Sequence, residues 1–196
     1  MRNYLLVLAI IICSLSGNLV AQETVKSVKS FGNTFNVGIG VGGYGGSYGG
    51  YYGYLGRNIP VLHLDYEFNV ARDFTLAPFI NYSSSTREYY WGNNQHPYRY
   101  YTYHETVIPI GLKGTYYLNR VLKTPPKLDV YLAGSLGFAI VNSRWDSDYY
   151  GDRQYYNDPN PLFLNIHLGG EYHVNRKIGI YLDLSTGVST LGVAFH

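Results

Sequence analysis

Between Pro161 and Val174 the chain reads PLFLNIHLGGEYHV, with Leu162, Leu164, Ile166, Leu168 and Tyr172 on one parity. Phe163, Asn165, His167, Gly169 and Glu171 fall on the other. A period of two puts these sets on opposite faces of a β-strand. A soluble sheet of ordinary length rarely needs so long an unbroken apolar face, whereas a strand of about ten residues tilted across a bilayer does.

The same two-faced pattern recurs along the chain. A first strand is predicted from Thr34 to Gly43, with Phe35, Val37, Ile39 and Val41 opposing Asn36, Gly38, Gly40 and Gly42. Further strands are predicted over Val61–Phe68, Phe74–Ser83, Thr106–Leu118 and Leu128–Val141. The Pro161–Val174 stretch is the sixth, a run through Ile178, Ile180, Leu182 and Leu184 the seventh, and STLGVAFH closes the eighth. Pro78 lacks a ladder donor and is expected at a bulge. Long Tyr-rich loops are expected over 44–60, 84–105 and 142–161, and the alternate connections are short or medium. Long loops on one side and short turns on the other, with an even strand count, are the marks of an outer-membrane barrel. The predicted fold class is all-β: a transmembrane antiparallel up-and-down β-barrel of about eight strands.

Alternation alone does not say which face is outside, since a lipocalin-like barrel would turn its apolar set inward around a ligand. Three features select the membrane. The non-apolar set mixes charge (Asp65, Glu67, Lys113, Asp129, Glu171, Asp183) with small residues (Gly38, Gly40, Gly111, Ala133, Ser135, Gly137, Gly169, Gly192), as a narrow polar lumen requires. Tyr66, Tyr82, Tyr116 and Tyr172 lie near strand ends on the apolar parity, where an aromatic girdle belongs. The chain also finishes on an aromatic-ended strand. Composition agrees: among 196 residues only 14% are charged, 17% are aromatic, and Tyr and Gly each number 23. Such strands can bury enough surface to offset chain entropy, which argues against disorder.

Basic Arg2, the apolar run Leu5–Ile12 and small residues ending at Ala21 make 1–21 a signal peptide. Residues 22–33 are a periplasmic lead-in and 34–196 the barrel domain. A lipid-modified Cys13 would want a small residue before it and finds Ile12. Cleavage removes Arg2 together with the single Cys and the single Met, so the formal charge falls by one from +2. The mature chain then carries no disulfide, thiolate ligand or thiol nucleophile. Its near-neutral charge gives no case for nucleic acid.

The pattern resembles the small outer-membrane barrels of Gram-negative bacteria, the OmpX-like and OmpA-transmembrane-domain-like group, over nearly the whole mature chain. The resemblance is carried by the signal peptide, the Gly-rich strand TFNVGIGVGG, the strand IPIGLKGTYYL and the terminal TLGVAFH. It implies outer-membrane lipid as surroundings and recognition of the last strand by the assembly machinery. Members usually end on the aromatic itself, whereas here His196 follows Phe195.

The inward polar positions His63, Asp65, Glu67, Lys113, His167 and Glu171 form a candidate lumen network. They read better as buried charges pairing across a filled lumen than as an acid/base site, because unpaired buried charge is costly and no nucleophile is legible beside these histidines. DSDYYGD resembles the start of a calcium loop but has Tyr150 at the fifth position, where an oxygen ligand is needed, and Asn157 at the twelfth, where Glu is needed, so it reads as a solvated acidic loop. GIGVGGYGG opens no helix and lacks a Gly-Lys-Ser/Thr ending, and NYS at Asn81 falls on a strand. No metal spacing links His96, His104 and His173. No cofactor is expected. Tyr51, Tyr52, Tyr90, Trp91, Trp145, Tyr149 and Tyr150, set among Gly, Asn, Asp and Arg, have the composition of a binding surface for an extracellular ligand. The alternative is that the rings form upward-extending strands and an interfacial belt. The leading expectation is a non-enzymatic structural or adhesive barrel. A narrow pore and a lipid A-modifying enzyme are the alternatives.

Overall fold

The computed structural model describes residues 33–43, 58–151 and 162–196, with the side chains of 58, 59 and 87 excepted. The expected signal peptide, the lead-in up to residue 32, residues 44–57 of the Gly/Tyr loop with Tyr51 and Tyr52, and the second half of the third long connection, 152–161, lie outside the described residues. The elements are β1 (Thr34–Gly42), β2 (Asn58–Ala71), β3 (Phe74–Asn93), β4 (His96–Tyr117), α1 (Asn119–Leu122), β5 (Leu128–Trp145), β6 (Leu162–His173), β7 (Ile178–Ser185) and β8 (Val188–Phe195). Each strand pairs antiparallel with the next, and β8 returns to β1, closing an eight-stranded barrel among the described residues. The closing seam runs without a shift from Phe35↔Phe195 to Gly42↔Val188.

The two faces are inverted relative to a soluble protein. On β6, Leu164 is 74% exposed and Ile166 66%, whereas inward Asp65 is 3% and Lys113 6% exposed. Leaving such side chains in water would forgo about 1.5–3 kcal/mol each, and lipid removes that cost. The barrel is therefore a transmembrane β-barrel. Phe35, Tyr66, Tyr116, Tyr172 and Phe195 are exposed toward the short-turn rim, where Tyr66 pairs with Phe35 and Phe35 with Phe195.

Inward glycines make room for inward rings. A Cβ on Gly169 would collide with the Tyr131 ring, and one on Gly38 or Gly192 with Tyr181. Gly38 on β1 and Gly192 on β8 thus leave the space in which the Tyr181 ring helps to fill an eight-stranded lumen.

Two expectations fail. Residues 84–105 are not a loop: β3 and β4 continue, paired from Ser84↔Thr106 to Tyr90↔Tyr100, and β5 joins them as far as Tyr103↔Trp145. Tyr, Thr and Trp suit a pleated surface whether or not lipid covers it. The turn is tight, with Asn93 Oδ1 accepting the backbone N–H groups of Gln95 at 2.9 Å and His96 at 2.8 Å. Pro78 is not at a bulge either. It pairs with Leu112, and the β2–β3 register keeps one offset from Asp65↔Phe79 to Phe68↔Leu76, lapsing only opposite Pro78 and Ala77. The missing donor interrupts one ladder locally without shifting it.

The NRVLKTPPK turn contains the single helical turn α1, ended by Lys123 in the left-handed conformation (φ 50°). Asn119 staples it to β5, accepting from Val130 N at 2.9 Å and donating to Asp129 Oδ1 at 2.5 Å. Arg120 reaches Asp73 in the β2–β3 turn at 2.7 Å.

Spin labels at positions 164 and 167 of the reconstituted barrel should respond oppositely, the first to lipid-soluble oxygen and the second not. Lipid-type accessibility at 167 would show the register of β6 to be wrong.

Candidate functional site

Alternation on β2 sends His63, Asp65 and Glu67 inward, and the barrel's registers bring Lys113 of β4, Ser135 of β5, His167 of β6 and Asp183 of β7 to the same depth. Lys113 Nζ donates to Asp65 Oδ2 at 3.0 Å and lies 3.7 Å from Asp183 Oδ2. Asp65 also takes His63 Nε2 at 2.8 Å and Asn36 Nδ2 at 2.7 Å. The other His63 nitrogen lies 2.6 Å from Asn81 Oδ1. On the far wall, His167 Nδ1 lies 2.7 Å from Asp183 Oδ1, and the Tyr131 hydroxyl donates to Asp183 Oδ2 at 3.2 Å. One polar chain therefore crosses the lumen, with a single cation shared by two carboxylates.

The six residues expected as one network separate into three groups. His63, Asp65, Lys113 and His167 belong to the central chain. Glu67 sits apart, accepting from the hydroxyls of Thr75 and of Tyr117, the latter at 2.8 Å. Glu171 lies at the short-turn mouth, 2.7 Å from His196 Nε2 and 3.5 Å from His173 Nδ1. Sequence reasoning placed Asp183 and Ser135 on the inward parity but not beside His167. Only the β5–β6 and β6–β7 registers supply that neighbourhood.

That neighbourhood overturns the expectation that no nucleophile stands near these histidines. Ser135 Oγ is 2.8 Å from His167 Nε2, whose Nδ1 faces Asp183. Serine on Nε2 and carboxylate on Nδ1 is the order of a hydrolytic triad. Catalysis also needs a place for the reacting carbonyl. The cavity beside these residues, lined by His63, Phe79, Asn81, Lys113, Ser135 and His167 among others, holds about 20 Å³. That is room for about one water and for no acyl group. The arrangement satisfies a buried imidazole on both nitrogens.

The second candidate is the aromatic surface on the β3–β4–β5 extension, and the structure divides it. Trp145 and Tyr149 stack at 4.2 Å and 11°, with Trp91 at 5.4 Å and Tyr101 at 5.1 Å edge-on to Tyr149. Tyr149 is 2% exposed, so this group is a packed core. On the opposite face Tyr90 meets Tyr100 at 5.0 Å and Tyr98 at 5.8 Å, and all three are exposed. Tyr150, also exposed, stacks on His96 at 4.4 Å. The acidic loop is engaged by protein: Asp146 Oδ2 accepts Thr102 N at 2.6 Å, and Asp148 pairs with Arg99.

No family model matches the chain, and no curated protein matches it. Among solved structures, Escherichia coli outer membrane protein W is 13% identical, covering 86% of this chain and 99% of its own, with a TM-score of 0.45. Ail, the attachment invasion locus protein of Yersinia pestis, in complex with the heparin analogue sucrose octasulfate, is 13% identical over 84% and 99%, at 0.40. A de novo designed transmembrane β-barrel is 12% identical over 84% and 96%, at 0.42.

Replacing Lys113 by Met leaves Asp65 and Asp183 without their shared cation and should destabilise the barrel by about 3–5 kcal/mol. Ser135→Ala leaves the buried His167 Nε2 without that partner and should cost about 1–3 kcal/mol. Urea unfolding in lipid vesicles measures both. Equal losses would contradict the hierarchy, and labelling of Ser135 by a fluorophosphonate would contradict the closed site.

Proposed function

We propose that this chain is a non-enzymatic outer-membrane β-barrel of the small Gram-negative type, structural or adhesive, which displays a rigid aromatic sheet outside the cell. The observation that carries the reading is the extension of β3, β4 and β5, in one register from the barrel wall to Trp91↔Arg99 and Tyr103↔Trp145. Its inner rings pack on Trp145 and Tyr149, which frees Tyr90, Tyr98, Tyr100 and Tyr150 to face outward. Tyrosines on a stiff scaffold bind with little loss of side-chain entropy.

In this reading the short turns face the periplasm and the extension the exterior, as outer-membrane barrels are built. OmpX-like and OmpA-transmembrane-domain-like architecture, export by a cleaved signal peptide and insertion through recognition of the Phe195 strand belong to the same proposal. The partners are outer-membrane lipid, the assembly machinery and an extracellular ligand. The alternatives are disfavoured by the lumen. A cavity of about 20 Å³ beside the central chain of charges, lined by His63, Lys113, Ser135, His167 and Asp183, argues against a conducting path or a substrate chamber at that level.

Proteoliposomes bearing the barrel should adhere to members of a panel of immobilised glycans and matrix proteins. Combined Tyr90→Ala, Tyr98→Ala and Tyr100→Ala substitution should abolish adhesion at unchanged heat-modifiability. Adhesion indifferent to these changes would remove the aromatic surface from the reading, and discrete conductance steps in planar bilayers would replace it with a pore.

A further inference from the structure

We propose that Glu171, His173 and His196 form a binding site for a divalent transition-metal ion, Zn²⁺ in particular, at the short-turn mouth of the barrel. The proposal is independent of the aromatic extension at the other end. Glu171 and His173 are two apart on β6 and so share its inward face. His196 follows Phe195, and continuing the Phe35↔Phe195 register by one step sets it opposite Thr34. One carboxylate oxygen and two imidazole nitrogens, each from a different side chain, thereby come within 4.8 Å of one another.

The spacing suits a metal. Zn–N and Zn–O bonds of about 2.0–2.1 Å in a tetrahedron put ligand atoms about 3.3–3.4 Å apart. The Glu171 Oε1 to His173 Nδ1 separation is 3.5 Å. The Glu171 Oε1 to His196 Nε2 contact, 2.7 Å, needs to open by only about 0.6 Å. Metal-binding histidines almost always have their second nitrogen held by another group, which fixes tautomer and ring orientation. Both rings here meet that condition: His173 Nε2 lies 2.7 Å from Asp129 Oδ2, and His196 Nδ1 lies 3.1 Å from Thr34 Oγ1.

The site is also built from its backbone outward. His173 N donates to Lys127 O at 2.8 Å and His196 N to Lys177 O at 3.0 Å, pinning both ligands at the rim. Asp129 is itself oriented by Asn119 Nδ2. A Cβ at position 179 would overlap the Glu171 carboxylate, so Gly179 supplies the space in which that ligand lies. Two nitrogens and one oxygen disfavour Ca²⁺ and Mg²⁺, which take oxygen ligands, and suit Zn²⁺ with water in a fourth position. His196 is exposed, which gives an ion its entry path. A bound ion would tie β6 to the residue after β8, beside the seam with β1.

The test uses the full mature barrel without a polyhistidine tag, refolded in detergent, with Zn²⁺ alone as the probe. Equilibrium dialysis should give one ion per barrel, and the thermal midpoint should rise in Zn²⁺ relative to EDTA. Glu171→Gln and His196→Gln should each abolish stoichiometric binding, and Asp129→Asn should weaken it about 10–100-fold. His96→Gln, at the far end, should leave it unchanged. Heat-modifiability on gels reports folding of each variant. His196→Gln keeps the test interpretable because position 196 lies beyond the last strand. Absence of stoichiometric Zn²⁺, or binding by folded Glu171→Gln and His196→Gln equal to the parent, would overturn the site.

Discussion

A strand edge in hydrocarbon has no water to satisfy its N–H and C=O groups, and each unsatisfied group costs several kcal/mol. Closure of β8 on β1 is therefore the constraint from which the rest of this structure follows. The seam from Phe35↔Phe195 to Gly42↔Val188 leaves neither edge open. Closing at eight strands fixes a lumen only wide enough for side chains. Every second residue must then fit that interior, so rings of Tyr131 and Tyr181 oppose glycines at 169, 38 and 192.

The same closure explains why charge in the lumen specifies the fold as well as filling it. Lys113 reaches Asp65 and Asp183 from different walls, and His167 extends the chain to Ser135. A one-residue slip of any strand would send its inward set to the lipid face. For Lys113 that would cost about 2–4 kcal/mol near the bilayer midplane, besides the loss of its partners. A buried polar network of this kind penalises misregister more heavily than an apolar core could. Its resemblance to a hydrolytic triad follows from the same requirement, because an imidazole set between a carboxylate and a hydroxyl has a hydrogen-bond partner on each ring nitrogen.

The alternation of Leu162, Leu164, Ile166 and Leu168 made the barrel legible, because lipid demands that one parity be apolar. That signal stops where lipid stops. Beyond Ser83 the strands continue with Ser and Tyr on both parities, Thr on one and Arg on the other, so no apolar parity distinguishes strand from loop. Parity also says which residues point inward but not which of them meet. Asp183 and Ser135 were visible as inward positions, yet their junction at His167 depends on three strands' registers. His173 and His196 are 23 residues apart in sequence, and the β6–β7 and β7–β8 pairings bring their rings to 4.9 Å. Pro78 misled in the opposite sense, since a missing donor can be tolerated on one side of a strand while the other side stays paired.

The extension poses the opposite problem to the barrel. With water on both faces, three strands standing clear of the bilayer need an apolar face of their own to be stable. Trp91, Tyr101, Trp145 and Tyr149 provide it, packed edge-on and stacked where β4 meets the end of β5. Arg99 lies over the Tyr101 ring at 4.8 Å while pairing with Asp148, closing the group from above. These rings are accounted for by folding alone. An aromatic-rich stretch is thus partly scaffold, and the rings that this packing leaves exposed include Tyr90, Tyr98, Tyr100 and Tyr150. Stiffness reaches Tyr90 and Tyr100 from the lumen, because β3 and β4 keep one register from the barrel wall, with Lys113 of β4 in the charged chain, to that pair.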